Sequence, residues 1–221
     1  MKDVKRKVLE ILSRKDISGS LPDLDALPPQ KVLGPLFSGI LNADEHVRWH
    51  AVTAMGHVAG RLALGDLEQG RIVMRRLMWS LNDESGGIGW GAPECMGEIM
   101  AMHDGLAGEY HEILFSYLVE RQGGADNYLE YLPLRRGAFW GLSRLNQQRP
   151  DIGAKAGYEA CKALADEEDP FIMACLCKYF QQQGGLPGEL TDKIRALKDQ
   201  MVSFYWDRNF SWVSLRDVCA G

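Results

Sequence analysis

The sequence predicts an all-α protein, an α-solenoid (α-α superhelix) of four to five stacked helix pairs with a capping segment at each end. Three observations predict it. Leu, Ala and Met together outnumber Val, Ile and Thr by more than two to one, a balance that suits helix interiors better than pleated strands. One helical segment recurs: positions 47–58 (VRWHAVTAMGHV) align with 88–99 (IGWGAPECMGEI), with Trp, Ala, Met and Gly in register. A period of roughly 40 residues describes a helix pair that cannot bury its apolar face alone, so neighbouring pairs must stack.

The elements follow in order. Residues 1–27 form an N-terminal cap, opening with a helix that carries Val4, Val8, Leu9, Ile11 and Leu12 on one side and Lys5, Arg6 and Lys7 near the other. Helix pairs then occupy residues 28–63, 66–104, 106–148 and 152–184. The first helix of each pair falls at 30–41, 67–81, 107–119 and 153–165, and the second helix is the recurring segment. Its third copy, 135–145 (RRGAFWGLSRL), keeps Ala138, Leu142 and Leu145, and its fourth opens on Asp169-Pro170, a helix start with Pro in the first turn. Breakers separate the helices: Asn42-Ala43-Asp44, residues 82–87, Gln122-Gly123-Gly124 and Gln183-Gly184-Gly185. Residues 186–221 form the C-terminal cap, with a further helix over 187–204 and an aromatic run over 204–212 packed on the last pair.

The first copy, from Asp44-Glu45-His46-Val47-Arg48 through Ala51-Val52 to Gly56-His57-Val58, resembles the HEAT-like repeat of the phycobilisome-lyase type. The resemblance weakens through the later copies, and the second has Gly89 where the repeat carries Arg. It implies a curved solenoid and binding or scaffold roles. It does not imply lyase activity, because many unrelated proteins share the repeat.

At 100° per residue the second helices sort into faces. Ala51, Met55 and Val58 share one arc, and Trp49, Thr53 and His57 share the other. The same sorting puts Trp90, Glu94 and Glu98 away from Ala92, Met96 and Ile99, and Arg136, Trp140 and Arg144 away from Ala138, Leu142 and Leu145. Stacking would line these up as a concave face of Trp49, Trp90, Glu94, Glu98, Arg135, Arg136, Trp140 and Arg144. Rings supply area and charges supply orientation, so the face suits a segment of a protein partner or a flat small molecule. Glu94 can pair there with Arg135 or Arg136. The same residues can instead knit neighbouring repeats into an internal Arg–Glu ladder, and both readings are open at this point.

The net charge of −5 opposes the counterion-release binding that dominates nucleic-acid affinity. No apolar run approaches the ~20 residues of a membrane span, and the N-terminus lacks an apolar signal region. Five cysteines, an odd number without a CxxC pair, read as reduced thiols in a cytoplasm. His46 and His50 offer at most two ligands, so neither a metal nor another cofactor is expected. Arg71, Arg75 and Arg76 form a basic stripe on a first helix, read as a solvated face with phosphate or acidic-peptide binding as its alternative. The expected function is a non-enzymatic interaction or scaffold module. The alternative is a helical-repeat enzyme or ligand-binding protein, including a DNA-glycosylase-like one using Trp90, Glu94 and Trp140.

Overall fold

The computed structural model describes residues 2–82, 89–120, 127–196 and 200–220. The chain divides into two compact units, Met1–Ala107 and Gly108–Gly221, and is mostly helical with one small two-stranded sheet. The all-α class therefore holds. The Gly86-Gly87 and Gln122-Gly123-Gly124 breakers lie outside the described residues.

In the first unit, α1 (Lys2–Leu12) and the short α2 (Leu21–Asp25) precede the pair α3 (Pro29–Gly39) and α4 (Glu45–Gly65). The next pair is α5 (Leu67–Leu81) and α6 (Ala92–Met102). α1 buries Val8, Ile11 and Leu12 as expected of a cap helix, while Leu9 stays exposed. Asp44 starts α4 by accepting the amides of His46 and Val47, satisfying donors that the first turn leaves orphaned. Asp66 ends α4 and caps α5 through the Glu68 amide.

α4 is the hub of this unit, touching α1, α2, α3, α5 and α6. Fourteen of its residues are buried, which leaves little of it as an open face. Its closest neighbour is α6, the second helix of the next pair. A Cβ on Gly56 would overlap Glu98 Cγ and come within 3.1 Å of its carbonyl, and one on Gly60 would meet Met102 Cβ at 3.1 Å. Two glycines four apart thus let the helices approach closely.

The division at Ala107 falls within α7 (Asp104–Ser116); the second unit continues with α8 (Leu132–Gln148), the four-residue α9 (Pro150–Gly153), α10 (Gly157–Asp166), α11 (Pro170–Gln182) and α12 (Gly188–Ala196). α11 is the hub here, packed on α8, α10, α12, β1 (Met201–Trp206) and α13 (Leu215–Ala220). Polar side chains tie α8 to α11: Ser143 Oγ donates to Cys175 O at 2.8 Å, and Asn146 Nδ2 to Tyr179 O at 3.1 Å.

The C-terminal region departs from expectation. The helix expected over 187–204 ends at Ala196, and β1 pairs antiparallel with β2 (Asn209–Ser214) in the register Phe204 to Ser211. The physical reason is local: Val202, Phe204, Tyr205 and Trp206 favour a pleated surface, and Asp207-Arg208 take φ of 48° and 64°, the left-handed pair of a two-residue hairpin turn. Phe204 packs edge-on against Phe171 of α11, so the aromatic run packs on α11, as a ribbon rather than a helix.

The cysteines depart as well. Cys177 on α11 and Cys219 on α13 form a disulfide with Cα atoms 5.2 Å apart, while Cys95, Cys161 and Cys175 remain thiols. The expectation of uniformly reduced thiols fails because α13 folds back onto α11, a tertiary contact that cysteine spacing cannot reveal. Among the described residues no helix is long and apolar enough to cross a membrane.

Candidate functional site

Of the eight expected site residues, Trp49, Trp90, Glu94 and Glu98 lie in the first unit, and Arg135, Arg136, Trp140 and Arg144 in the second. Each set has its own geometry.

Trp49 and Trp140 do not face away from the core. They are 5% and 2% exposed. For Trp140 the reason is the hairpin: its indole Nε1 donates to Tyr205 O at 2.7 Å, and its ring lies beside Tyr205 and edge-on to Trp206. For Trp49 the reason is α4 itself, which packs against five other helices. Glu98 is buried against the α4 glycine Gly56. The face assignment assumed one free side on each second helix, and α4 has none to spare.

Arg135 and Arg136 are committed within the second unit, so the expected pairing of either with Glu94 is replaced. Arg136 makes a two-pronged ion pair with Asp169, Nε to Oδ1 at 3.0 Å and Nη2 to Oδ2 at 2.6 Å. Asp169 is also the N-cap of α11, accepting from the Ile172 amide, so one carboxylate starts a helix and ties it to α8. The hydrogen bonds to Asp169 raise the Arg136 pKa further. Arg135 lies 3.4 Å from Glu167, donates to the Glu130 carbonyl at 2.9 Å and sits over the Tyr128 ring. In this unit the residues form inter-helix ties, which is the ladder reading. Arg144 contacts Gln147 one turn on.

Glu94 occupies the first turn of α6, entered through Gly91 at φ 74°, whose missing Cβ leaves room for Ile40. The residue is half-buried, but Oε2 is closed off from solvent with no hydrogen-bond partner among the described residues. Burial pushes its pKa up to about 7, against smaller opposing effects of its own amide and of Arg48. Such a carboxyl can hold or release a proton near neutrality. Among the described residues no group of His, Cys, Asp and Glu is arranged to hold a metal.

His50, in the expected histidine row, is a core group. Its Nδ1 donates to Leu12 O at 2.9 Å, tying α4 to α1, and burial lowers its pKa.

The surface that the face argument missed is on α5. Ile72 and Trp79 are 47% and 76% exposed, and with Arg75, Arg76 and Ser80 they line an open cleft of about 500 Å³. They recur at helical spacing, so they share one face. Arg76 is held with its guanidinium 3.8 Å over the Phe37 ring of α3. Arg71 and Arg75 both reach Glu68, at 3.5 and 2.5 Å. Two guanidiniums therefore share this carboxylate, and a third stands with them beside an uncovered indole. The signal was present in the basic stripe, but Trp79 was indistinguishable from a buried ring until its exposure was known.

No protein-family model matches the chain, and no curated protein matches it.

Proposed function

We propose that this chain is a non-enzymatic protein-interaction module whose HEAT-like helix pairs stack as an α-solenoid and whose α5 face docks a segment of another protein. The stacking reading is supported inside each unit by second helices of successive pairs lying side by side, α4 on α6 and α8 on α11. The observation that carries the binding reading is Trp79, an indole three-quarters exposed beside a cleft. Solvent-facing Trp beside Arg is the composition of binding hot spots, and an exposed apolar patch marks a contact surface.

The partner is defined by charge. Arg75 and Arg76 line the cleft and Arg71 lies one turn before Arg75 on the same helix, so the cleft suits a segment with an aliphatic or aromatic anchor flanked by one or two carboxylates. Arg76, pre-positioned over Phe37, loses little side-chain entropy on pairing with such a carboxylate.

A photocrosslinking residue at position 79 tests the reading against the same residue at position 64, where Leu64 is 77% exposed but does not line the cleft. Discrete protein adducts from position 79 and not from position 64 are expected. Equal capture from both, or none from 79, contradicts the assignment.

A further inference from the structure

We propose that the outer edge of β2 is a self-association surface, and that two copies of this chain pair β2 to β2 antiparallel about a two-fold axis at Ser211. The phase of the β1–β2 ladder is fixed by its turn. Asp207-Arg208 make a two-residue turn with both φ positive, so Trp206 and Asn209 are a hydrogen-bonded pair. The alternation then makes Phe204 to Ser211 and Val202 to Val213 hydrogen-bonded pairs as well, following the register of the two strands.

Two observations agree with this phase. The Leu215 amide donates to Gln200 O at 3.0 Å, the next bond of the same ladder. Trp140 Nε1 donates to Tyr205 O from outside the ribbon, as it must if Tyr205 belongs to a pair whose main chain points outward. The free edge of β1 is thus engaged by α8.

The free edge of β2 has no such cover. By the same alternation, the N–H and C=O of Phe210 and Trp212 point away from β1, and no described residue bonds to them. Folded proteins guard such edges with charge, proline, a bulge or a covering element. β2 reads NFSWVS, with no charge and no proline, and it pairs without a bulge. Trp212 is 67% exposed, and Met201 on the neighbouring strand is 43% exposed.

A second copy fits this edge better than an arbitrary strand because the edge complements itself. Antiparallel pairing about Ser211 sets Phe210 opposite Trp212 of the other copy, and Trp212 opposite Phe210. Both outward donors and both outward acceptors of each strand are then satisfied reciprocally. The same register gives two aromatic cross-strand pairs on one face. β2 itself carries no charge that would set one copy against the other across this edge. The contact is small, so the expected dissociation constant lies in the ~10–100 μM range.

Sedimentation equilibrium of the full chain across that range tests the proposal. The wild type is expected to shift from 24.7 kDa toward twice that mass. Ser211 is exposed, so Ser211→Lys leaves the hairpin intact by circular dichroism but sets two ammonium groups on the axis; it is expected to stay monomeric. In a Cys161→Ser background, Ser211→Cys is expected to give a covalent dimer on mild oxidation, because residues facing each other at a non-hydrogen-bonded antiparallel pair lie about 4.5 Å apart. Trp212→Cys, two residues out of register with itself, is expected not to. A wild type that remains monomeric throughout, or equal crosslinking at 211 and 212, overturns it.

Discussion

Glu94 and Asp169 are both carboxylates in the first turn of a second helix or at its cap, and they behave in opposite ways. Asp169 is satisfied by Arg136 and an amide, whereas Glu94 keeps a buried oxygen without a partner among the described residues. A raised carboxyl pKa means that the folded state favours the neutral form. Its contribution to stability is full below the unfolded value near 4.5 and is lost as pH rises through about 7. Denaturant titrations at acidic and alkaline pH are therefore expected to show a wild type weaker by about 3 kcal/mol on the alkaline side. Glu94→Gln is expected to flatten that difference and to be the more stable protein above pH 8. Asp169→Ala removes a cap and leaves Arg136 without this partner at once, so a loss of about 2 kcal/mol is expected. Arg136→Ala, whose side chain is 42% exposed, is expected to cost about 1 kcal/mol or less. Asp169 was legible as a helix start from its Asp-Pro pair, but its pairing with Arg136 was not, because nothing in spacing matched it to an arginine on the preceding second helix.

At the scale of elements, most helices were legible from their apolar periodicity, and the breakers Asn42-Ala43-Asp44 and Gln183-Gly184-Gly185 mark where α3 and α11 end, whereas the helix expected over 153–165 is split between α9 and α10. Faces were not legible. Periodicity says which residues lie together on a helix, but not how many sides neighbours will cover, and α4 is covered by five. The hairpin was missed because Met201-Val202-Ser203-Phe204 carries no breaker to separate it from α12, and the decisive feature is the left-handed turn at Asp207-Arg208. The close approach of α4 and α6 gives a direct check. Gly56→Ala puts a methyl group into Glu98, and a loss of about 2 kcal/mol is expected, read as a lower denaturation midpoint with unchanged slope. The Cys177–Cys219 link joins positions 42 apart in the chain, for which chain entropy predicts about 4 kcal/mol of stabilisation. Alkylation in denaturant is expected to label three thiols before reduction and five after it; five before reduction would contradict the link.

For the molecule as a whole, five of the eight aromatic and charged residues picked from helix phase, Trp49, Glu98, Arg135, Arg136 and Trp140, are buried between elements or paired across them. An uncovered apolar and basic face lies instead on α5, which carries an exposed indole and three guanidiniums. The most direct measurement is binding to an array of 12-residue peptides. Each holds one Leu, Phe or Trp anchor flanked by zero to three Asp or Glu residues, with Lys-flanked controls. The wild type is expected to prefer acidic flanks, folded Trp79→Ala to lose about tenfold in affinity, and Arg76→Glu to shift the preference toward Lys. Binding indifferent to flanking charge and undiminished in folded Trp79→Ala would contradict the account.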